Sequence, residues 1–205
     1  LSLHDALPIL GNLGVDAGEL WVENPFHLPA LGENLSAYEQ NRVFLNQQGG
    51  DFVDASFTSG ANLDSDSRPV ITADFNNDGA QDLLVGSVGG GAIRLFLNRI
   101  PQGNVIQITP ILPGGNATAI GTRVTAAVGT EKVVRDLFPA NGCLGQQPAR
   151  IHIGLGDANN ADSITIRWPN GRTRQLGSVQ AGRRVIIVEG DDPVIEPLLA
   201  NRGLD

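Results

Sequence analysis

The nine residues 74–82 constrain this chain more than any other stretch. Oxygen-bearing side chains stand at loop positions 1, 3, 5 and 9, and the glycine at position 6 permits a sharp turn that a Cβ would oppose. Short apolar runs flank the loop on both sides. A hard cation such as Ca²⁺ takes roughly six to eight oxygen ligands. The spacing therefore predicts a calcium site between two β-strands, with side-chain ligands from Asp74, Asn76, Asp78 and Asp82.

The same loop has two competing interpretations. One is a solvated turn, because Asn, Asp and Gly are common in turns. Against it, three carboxylates within nine residues would repel one another without a cation. The other is an EF-hand, which needs a glutamate at the end of its loop and a helix on each side. Val85 occupies the glutamate position and β-branched residues flank the loop. The sequence thus excludes an EF-hand and favours a cation over a bare turn.

The rest of the chain is typical of an all-β protein. Many short apolar runs are separated by Gly, Asn, Asp and Pro, and 205 residues suffice for one or two domains. The net charge of −8 is uneven, because residues 1–100 hold 4 Lys and Arg against 13 Asp and Glu. Such an acidic field suits divalent cations and opposes nucleic acid, which needs a basic surface. No apolar run is long enough for a transmembrane helix.

The first residues carry little structural pattern. Residues 1–10 connect poorly with the pattern of the later residues, which favours a non-native leader. The start at Leu1, without a signal peptide, suggests a fragment of a longer protein. Cys143 is the only cysteine, so no disulfide can form within the chain.

Two strand-like segments repeat at an offset of 52 residues: Arg-Val-Phe-Leu-Asn at 42–46 and Arg-Leu-Phe-Leu-Asn at 94–98. This offset lies in the range of propeller and solenoid repeats, and a propeller blade is built from short antiparallel strands. A blade packs against its neighbours, and this chain holds too few such strands for the neighbouring blades. We therefore expect this region to expose an apolar face and a sheet edge.

Residues 41–98 resemble one FG-GAP/VCBS-type repeat. The matching features are an aromatic strand that ends in Asn, a Gly-Gly-x-Phe turn at residues 49–52, the acidic loop and the next aromatic strand. The resemblance implies a β-propeller blade whose loop binds calcium, here with Asn76 where a carboxylate is often found. The ligands that the resemblance implies are Asp74, Asn76, Asp78 and Asp82, with the backbone carbonyl of Ala80.

Residues from about 104 to 190 resemble the ASPIC/UnbV domain of cartilage acidic protein-like and related bacterial proteins. The segments that carry the resemblance are Ala-Ile-Gly-Thr-Arg-Val at 119–124, Ile-His-Ile-Gly-Leu-Gly at 151–156, Ile-Arg-Trp-Pro-Asn-Gly at 166–171 and Val-Glu at 188–189. In that family the domain follows calcium-binding repeats. One departure lies at residues 142–146, where the family usually has an aromatic residue and a serine.

These patterns predict the order of the modules. Pro101 and Gly103 mark a boundary. The predicted parts are a leader (1–10), a partial FG-GAP/VCBS-type propeller blade (11–100), a small β-sandwich-like ASPIC/UnbV domain (101–190) and a C-terminal tail (191–205). Within the second domain, strict alternation at residues 163–168 places Ile164, Ile166 and Trp168 on one face, and Asn170-Gly171 predicts a hairpin turn.

No other motif nominates catalytic chemistry. The glycines of residues 154–159 lack the helix that a nucleotide phosphate needs, and Cys143 has no activating motif. The three histidines do not form a zinc-binding pair. A second acidic cluster has no turn glycine, so a polar loop is the better interpretation of Asp157, Asn159 and Asp162. We therefore expect no catalytic residues.

The predicted function is that of a non-catalytic calcium-binding module, secreted or displayed at the cell surface (extracellular or periplasmic). It would serve adhesion or protein interaction, with Ca²⁺ as a structural brace. The expected partners are an extracellular protein or glycan and the upstream blades of the same protein, with no nucleic acid and no membrane span. The alternative is a carbohydrate-binding appendage or part of a larger secreted enzyme.

Overall fold

The computed structural model describes residues 39–47, 50–64, 67–87, 92–114, 118–140 and 145–198. These residues are almost entirely β, as predicted, with a single short helix among them. Their elements are β1 (Phe44–Gln47), β2 (Asp51–Asp54), α1 (Ser56–Ser59), β3 (Ser67–Ala73), β4 (Asp82–Ser87), β5 (Arg94–Phe96), β6 (Asn104–Ile111), β7 (Arg123–Val128), β8 (Glu131–Asp136), β9 (Ile151–Gly156), β10 (Asn160–Ala161), β11 (Ser163–Arg167), β12 (Thr173–Leu176), β13 (Val179–Gln180), β14 (Arg183–Val188) and β15 (Val194–Pro197).

The described residues fall into two compact units. Unit 1 comprises those within Leu1–Ile71, Leu84–Phe96 and Cys143–Gly145, and unit 2 those within Thr72–Leu83, Leu97–Gly142 and Gln146–Asp205. The acidic loop therefore belongs to the same unit as the C-terminal strands. The boundary predicted at Pro101 concerns the family modules and stays a prediction.

In unit 1, β1 and β2 form an antiparallel hairpin in which Phe44 pairs with Asp54 and Asn46 with Phe52. Gly50 lies in the connecting turn with φ of 120°, a conformation that glycine adopts readily. This register places Phe44 and Phe52 on one face, where they are 57% and 63% exposed. The hairpin thus exposes two aromatic side chains, on a face that they share with Asn46 and Asp54.

The strands β3, β4 and β5 form a three-stranded sheet in that order. The loop of residues 74–82 connects β3 to the start of β4. The prediction that strands flank the loop on both sides is therefore confirmed. The aromatic repeat segments also lie on strands, because β1 and β5 contain Phe44 and Phe96 respectively.

Unit 2 contains a two-layered sandwich. One sheet has the order β12-β11-β7-β8 and the other β15-β14-β6-β9. Every pairing in these two sheets is antiparallel except that of β14 with β6. Their inner faces share one apolar core, in which the predicted set of Ile164, Ile166 and Trp168 is buried. The alternation of apolar and polar residues along these strands explains the two layers.

Three short strands, β10, β13 and β15, are not apparent in the sequence pattern. The short β10 pairs with β13. β15 lies in the segment predicted as a tail, and it extends the second sheet by pairing with β14. These strands are too short, or too mixed in composition, for period-two alternation to reveal them.

The outer face of the second sheet carries a row of polar side chains. Arg184 pairs with Glu196 on one side and with Gln107 on the other, and Gln107 pairs with His152. Facing away from the sandwich core, such residues would ordinarily be exposed, yet Gln107 is fully buried. The acidic loop covers this side chain, since Gln107 Nε2 donates to Asp74 Oδ2.

Candidate cation-binding loop

The backbone of the loop turns through two residues with positive φ. Asn77 has φ of 59° and Gly79 has φ of 93°. Asparagine tolerates the left-handed region better than most residues, and glycine has no Cβ to oppose it. A Cβ on Gly79 would also lie 2.9 Å from Val105 Cγ1. Two features therefore favour glycine at position 79: the positive φ of the turn and the close approach of the loop to β6.

Backbone N–H groups of the loop donate to its acidic side chains. Asp78 N donates to Asp74 Oδ1 and Gly79 N to Asp74 Oδ2, each at 3.0 Å. Ala80 N donates to Asp78 Oδ1 at 2.7 Å. The amide of Asn76 accepts from Asp78 N at 3.2 Å and donates to Asp78 Oδ2 at 2.8 Å. Three of the predicted ligands, Asp74, Asn76 and Asp78, thus form one hydrogen-bonded group.

Asp82 occupies a different environment. Its side chain is fully buried. Oδ2 accepts from Phe75 N at 2.9 Å, and Oδ1 accepts from Asn98 N at 2.8 Å. The carboxylate therefore joins the entrance of the loop to the segment after β5, which gives Asp82 a structural role whether or not a cation is bound.

Two side chains of the second sheet contact the loop. Gln107 Nε2 donates to Asp74 Oδ2 at 2.7 Å. Arg184 Nη2 donates to Asn77 Oδ1 at 2.7 Å. The other end of Gln107 accepts from Arg184 and, at 3.1 Å, from Arg150 Nη1. The loop is thereby hydrogen-bonded to the sandwich through two of its own side chains, the carboxylate of Asp74 and the amide of Asn77.

The donor chemistry of the loop suits a hard cation, because its polar side chains present only carboxylate and amide oxygens as ligands. Among the described residues, no three Asp, Glu, His or Cys side chains are gathered into a ready-made metal cage. Ala80, the predicted carbonyl ligand, is buried within the loop. The assignment of these five residues as calcium ligands stays a prediction.

A cavity of about 740 Å³ lies beside the loop within unit 2. Its polar lining includes Asp74, Gln107, Arg150 and His152. Burial, and then the nearby charge of Arg184, lower the pKa of Arg150. Burial also lowers the pKa of His152, a shift that Asp74 opposes and Arg135 reinforces. Arg150 and His152 thus lie in a partly buried wall of the sheet beside the acidic loop.

Sequence reasoning missed Asn77, Gln107 and Arg184. Asn77 could have been noticed, because an asparagine beside a turn glycine is suited to positive φ. The other two residues gave no local signal. Gln107 stands between two isoleucines and Arg184 between Arg183 and Val185, positions at which any solvent-facing polar residue of a strand could stand.

Asp162 of the second acidic cluster accepts hydrogen bonds from its neighbours in unit 2. Asp162 Oδ2 accepts from Gly129 N at 2.8 Å, and Asp162 Oδ1 accepts from Asn160 Nδ2 at 3.2 Å. These contacts are typical of a polar loop. His152 lies on β9 opposite the buried Ile151 and Ile153. Cys143 lies outside the described residues.

Comparisons with known proteins identify both modules. Residues 34–85 match a family model described as an FG-GAP-like repeat, and residues 112–194 match one described as ASPIC and UnbV. No curated protein matches the chain in a sequence search. The helix found among the described residues is far too short to cross a membrane.

These matches fit the observed fold. The first covers the β1–β2 hairpin, β3 and the acidic loop, and its short strands fit a propeller-type blade. FG-GAP-like repeats are typical of extracellular or surface proteins and indicate protein interaction. The second covers most of the sandwich. The chain therefore carries an FG-GAP-like repeat followed by an ASPIC/UnbV domain.

Proposed function

We propose that this chain is a non-catalytic extracellular or surface-displayed interaction module whose 74–82 loop binds Ca²⁺ as a structural brace. The observation that carries the proposal is the arrangement of the loop carboxylates. Backbone N–H groups hold Asp74 and Asp78 in place. Each carboxylate oxygen has two lone-pair positions, so these side chains retain acceptor capacity for a cation.

Bound Ca²⁺ would supply the positive charge that offsets the crowded carboxylates. The ligands would be Asp74, Asn76, Asp78 and Asp82, with the carbonyl of Ala80. Asp82 already holds the two ends of the loop region together through Phe75 N and Asn98 N. A cation that fixes the exposed side of the loop would therefore complete a structure whose buried side is held by the protein alone.

The family supports an extracellular setting for this proposal. Calcium sites of extracellular modules have Kd values of about 10⁻⁴–10⁻³ M. Asn76 stands where a further loop carboxylate would add charge, which favours affinity at the weak end of the range. Extracellular calcium would fill such a site. The corresponding partners are an extracellular protein or glycan, bound for adhesion or assembly.

The carbohydrate-binding alternative has less support. An aromatic side chain on which a sugar ring could stack is the usual basis for such a site. The tryptophan of the sandwich, Trp168, is only 3% exposed and packs in the core, so it offers no such surface. Protein interaction is therefore the preferred function.

Thermal unfolding with and without calcium tests the proposal. At a free Ca²⁺ concentration of about one hundred times Kd, binding should stabilise the chain by about 2.7 kcal/mol and raise Tm by roughly 5–10 °C. Asp78→Ala should remove this increase, because Asp78 is an exposed loop carboxylate. Asp157→Ala, which removes an exposed carboxylate elsewhere in unit 2, should keep it. A wild-type Tm unchanged by excess chelator would contradict the proposal.

A further inference from the structure

The buried amide of Gln107 suggests that the calcium loop depends on the second sheet. Gln107 lies on β6 and faces away from the sandwich core, yet it is fully buried beneath the loop. We propose that Gln107 and Arg184 are positioning residues for the loop's cation, so that the ASPIC/UnbV sheet sets calcium affinity. This inference rests on the proposed function, because it concerns the same site.

The chemistry around Gln107 determines which way its amide points. On one side, Arg150 and Arg184 can only donate hydrogen bonds, so Oε1 must face them. On the other side, Asp74 Oδ2 accepts from Nε2 at 2.7 Å. The reversed amide would place a donor against two guanidinium groups and an acceptor against a carboxylate. The amide is therefore locked with its donor towards the loop.

This fixed amide orientation determines which carboxylate oxygen of Asp74 can coordinate a cation. Oδ2 accepts from Gly79 N and from Gln107 Nε2, which uses both of its lone-pair positions. Among the described residues, Oδ1 accepts only from Asp78 N. Oδ1 therefore keeps one lone pair, and Gln107 holds the carboxylate so that this lone pair is the one left for Ca²⁺.

Arg184 acts on the turn of the loop. Its Nη2 donates to Asn77 Oδ1 at 2.7 Å, and Asn77 has the positive φ between the predicted ligands Asn76 and Asp78. The guanidinium is itself held by Gln107 Oε1 and by Glu196 Oε1, the latter at 3.5 Å. Arg184 thus fixes the backbone turn on which the spacing of the ligands depends.

Outer-shell partners of this kind commonly change metal affinity by about ten- to a hundred-fold when they are removed. The coupling must also act in reverse, because two linked equilibria influence each other equally. Calcium in the loop should therefore strengthen the contacts of Gln107 and Arg184 on the sheet. The loop and the sheet would respond to calcium as one structure.

Calcium titration of the full chain by isothermal calorimetry tests this inference. Gln107→Leu removes both polar ends of the side chain at similar volume, and its Kd for Ca²⁺ should rise about ten- to a hundred-fold. Gln175→Leu is the matched control, because Gln175 is exposed on β12 of the other sheet. Its Kd should equal that of the wild type.

A second variant and a spectroscopic measurement test the same inference if Gln107→Leu does not fold. Arg184→Gln should weaken calcium binding more than Arg167→Gln, which alters an exposed arginine on β11. In the wild-type chain, Ca²⁺ should shift the side-chain amide resonances of Gln107 in NMR spectra and leave those of Gln175 in place.

The outcomes separate the inference from the function on which it rests. Suppose that the wild-type chain binds Ca²⁺ and that folded Gln107→Leu binds it with the same Kd. That result would overturn the inference and leave the calcium brace intact. An unchanged Kd in Arg184→Gln, together with an unshifted Gln107 amide in the wild type, would have the same meaning. A wild-type chain that binds no Ca²⁺ would overturn both. Weaker binding in the two variants, with unchanged controls, would support the positioning role.

Discussion

Asp82 differs from the other loop carboxylates at the scale of the single residue. Asp78 lies in the exposed part of the loop, whereas Asp82 is fully buried and has a backbone N–H on each oxygen. Spacing alone makes them equivalent, because both fall at ligand positions. Burial separates their roles: Asp78 accepts hydrogen bonds from Ala80 N and Asn76 Nδ2 inside the loop, whereas Asp82 joins the loop to the segment after β5.

This difference predicts unequal stability effects in the absence of calcium. Asp82→Ala leaves the N–H groups of Phe75 and Asn98 without their acceptors. An unsatisfied group costs about 1–3 kcal/mol when it is buried, and less where water reaches it. We expect a loss of about 2–4 kcal/mol in the free energy of unfolding, measured by urea denaturation in chelator. Asp78→Ala leaves one backbone N–H, that of Ala80, without its acceptor, and should cost about half as much under the same conditions. Equal losses in the two variants would refute the distinction.

At the scale of the element, strand β11 shows how alternation builds the sandwich. Ile164 and Ile166 are fully buried, while Ser163, Thr165 and Arg167 face the other way. β11 pairs with β7 on one side and β12 on the other. A central strand with a single apolar face can be placed in only one orientation, because a one-residue shift would expose the buried isoleucines.

The effect of a substitution on stability should therefore depend on which face of β11 the residue occupies. Ile166→Ala should lower the free energy of unfolding by about 2–5 kcal/mol, because it removes buried methyl groups and leaves a cavity. Thr165→Ala, at the neighbouring outward position, should change it by less than about 1 kcal/mol. Urea denaturation of both variants measures the contrast. Similar losses at the two positions would show that the assigned faces are wrong.

At the scale of the whole molecule, the two units differ in how well they bury apolar side chains. Unit 2 has a continuous core that involves both layers of the sandwich. In unit 1, Phe44, Phe52 and Phe57 are 57%, 63% and 85% exposed. Exposed large apolar side chains, such as the pair on one face of the hairpin, are typical of a surface that packs against other protein.

The exposed hairpin face should bind hydrophobic probes. The double substitution Phe44→Ser and Phe52→Ser should reduce the fluorescence of the dye ANS without lowering the Tm, because these side chains contribute little burial. Phe138→Ser, which alters an exposed phenylalanine of unit 2, serves as the comparison and should have the smaller effect on dye binding. A large drop in Tm for the double variant would show that the hairpin face is buried in solution.

The sequence by itself determined the features that depend on neighbours along the chain. The spacing of oxygen-bearing side chains, the turn glycine and the β-branched flanks identified the loop between two strands. Alternation identified the core face of β11, and the order of short motifs identified both modules. Each of these signals lies within a few residues, because ligand spacing, turn geometry and strand alternation are local properties of the backbone.

Only the tertiary structure decided what the loop packs against. Gln107 is 33 residues from Asp74, and Arg184 is 107 residues from Asn77. The parallel pairing of β14 with β6 brings Arg184 beside Gln107, and no local pattern encodes such a pairing. Hydrogen bonds between side chains that are distant in sequence depend on how the strands and loops pack. They also depend on which polar groups are buried away from water. That is why the acidic loop could be identified from its spacing, while its contacts with the sheet required the fold.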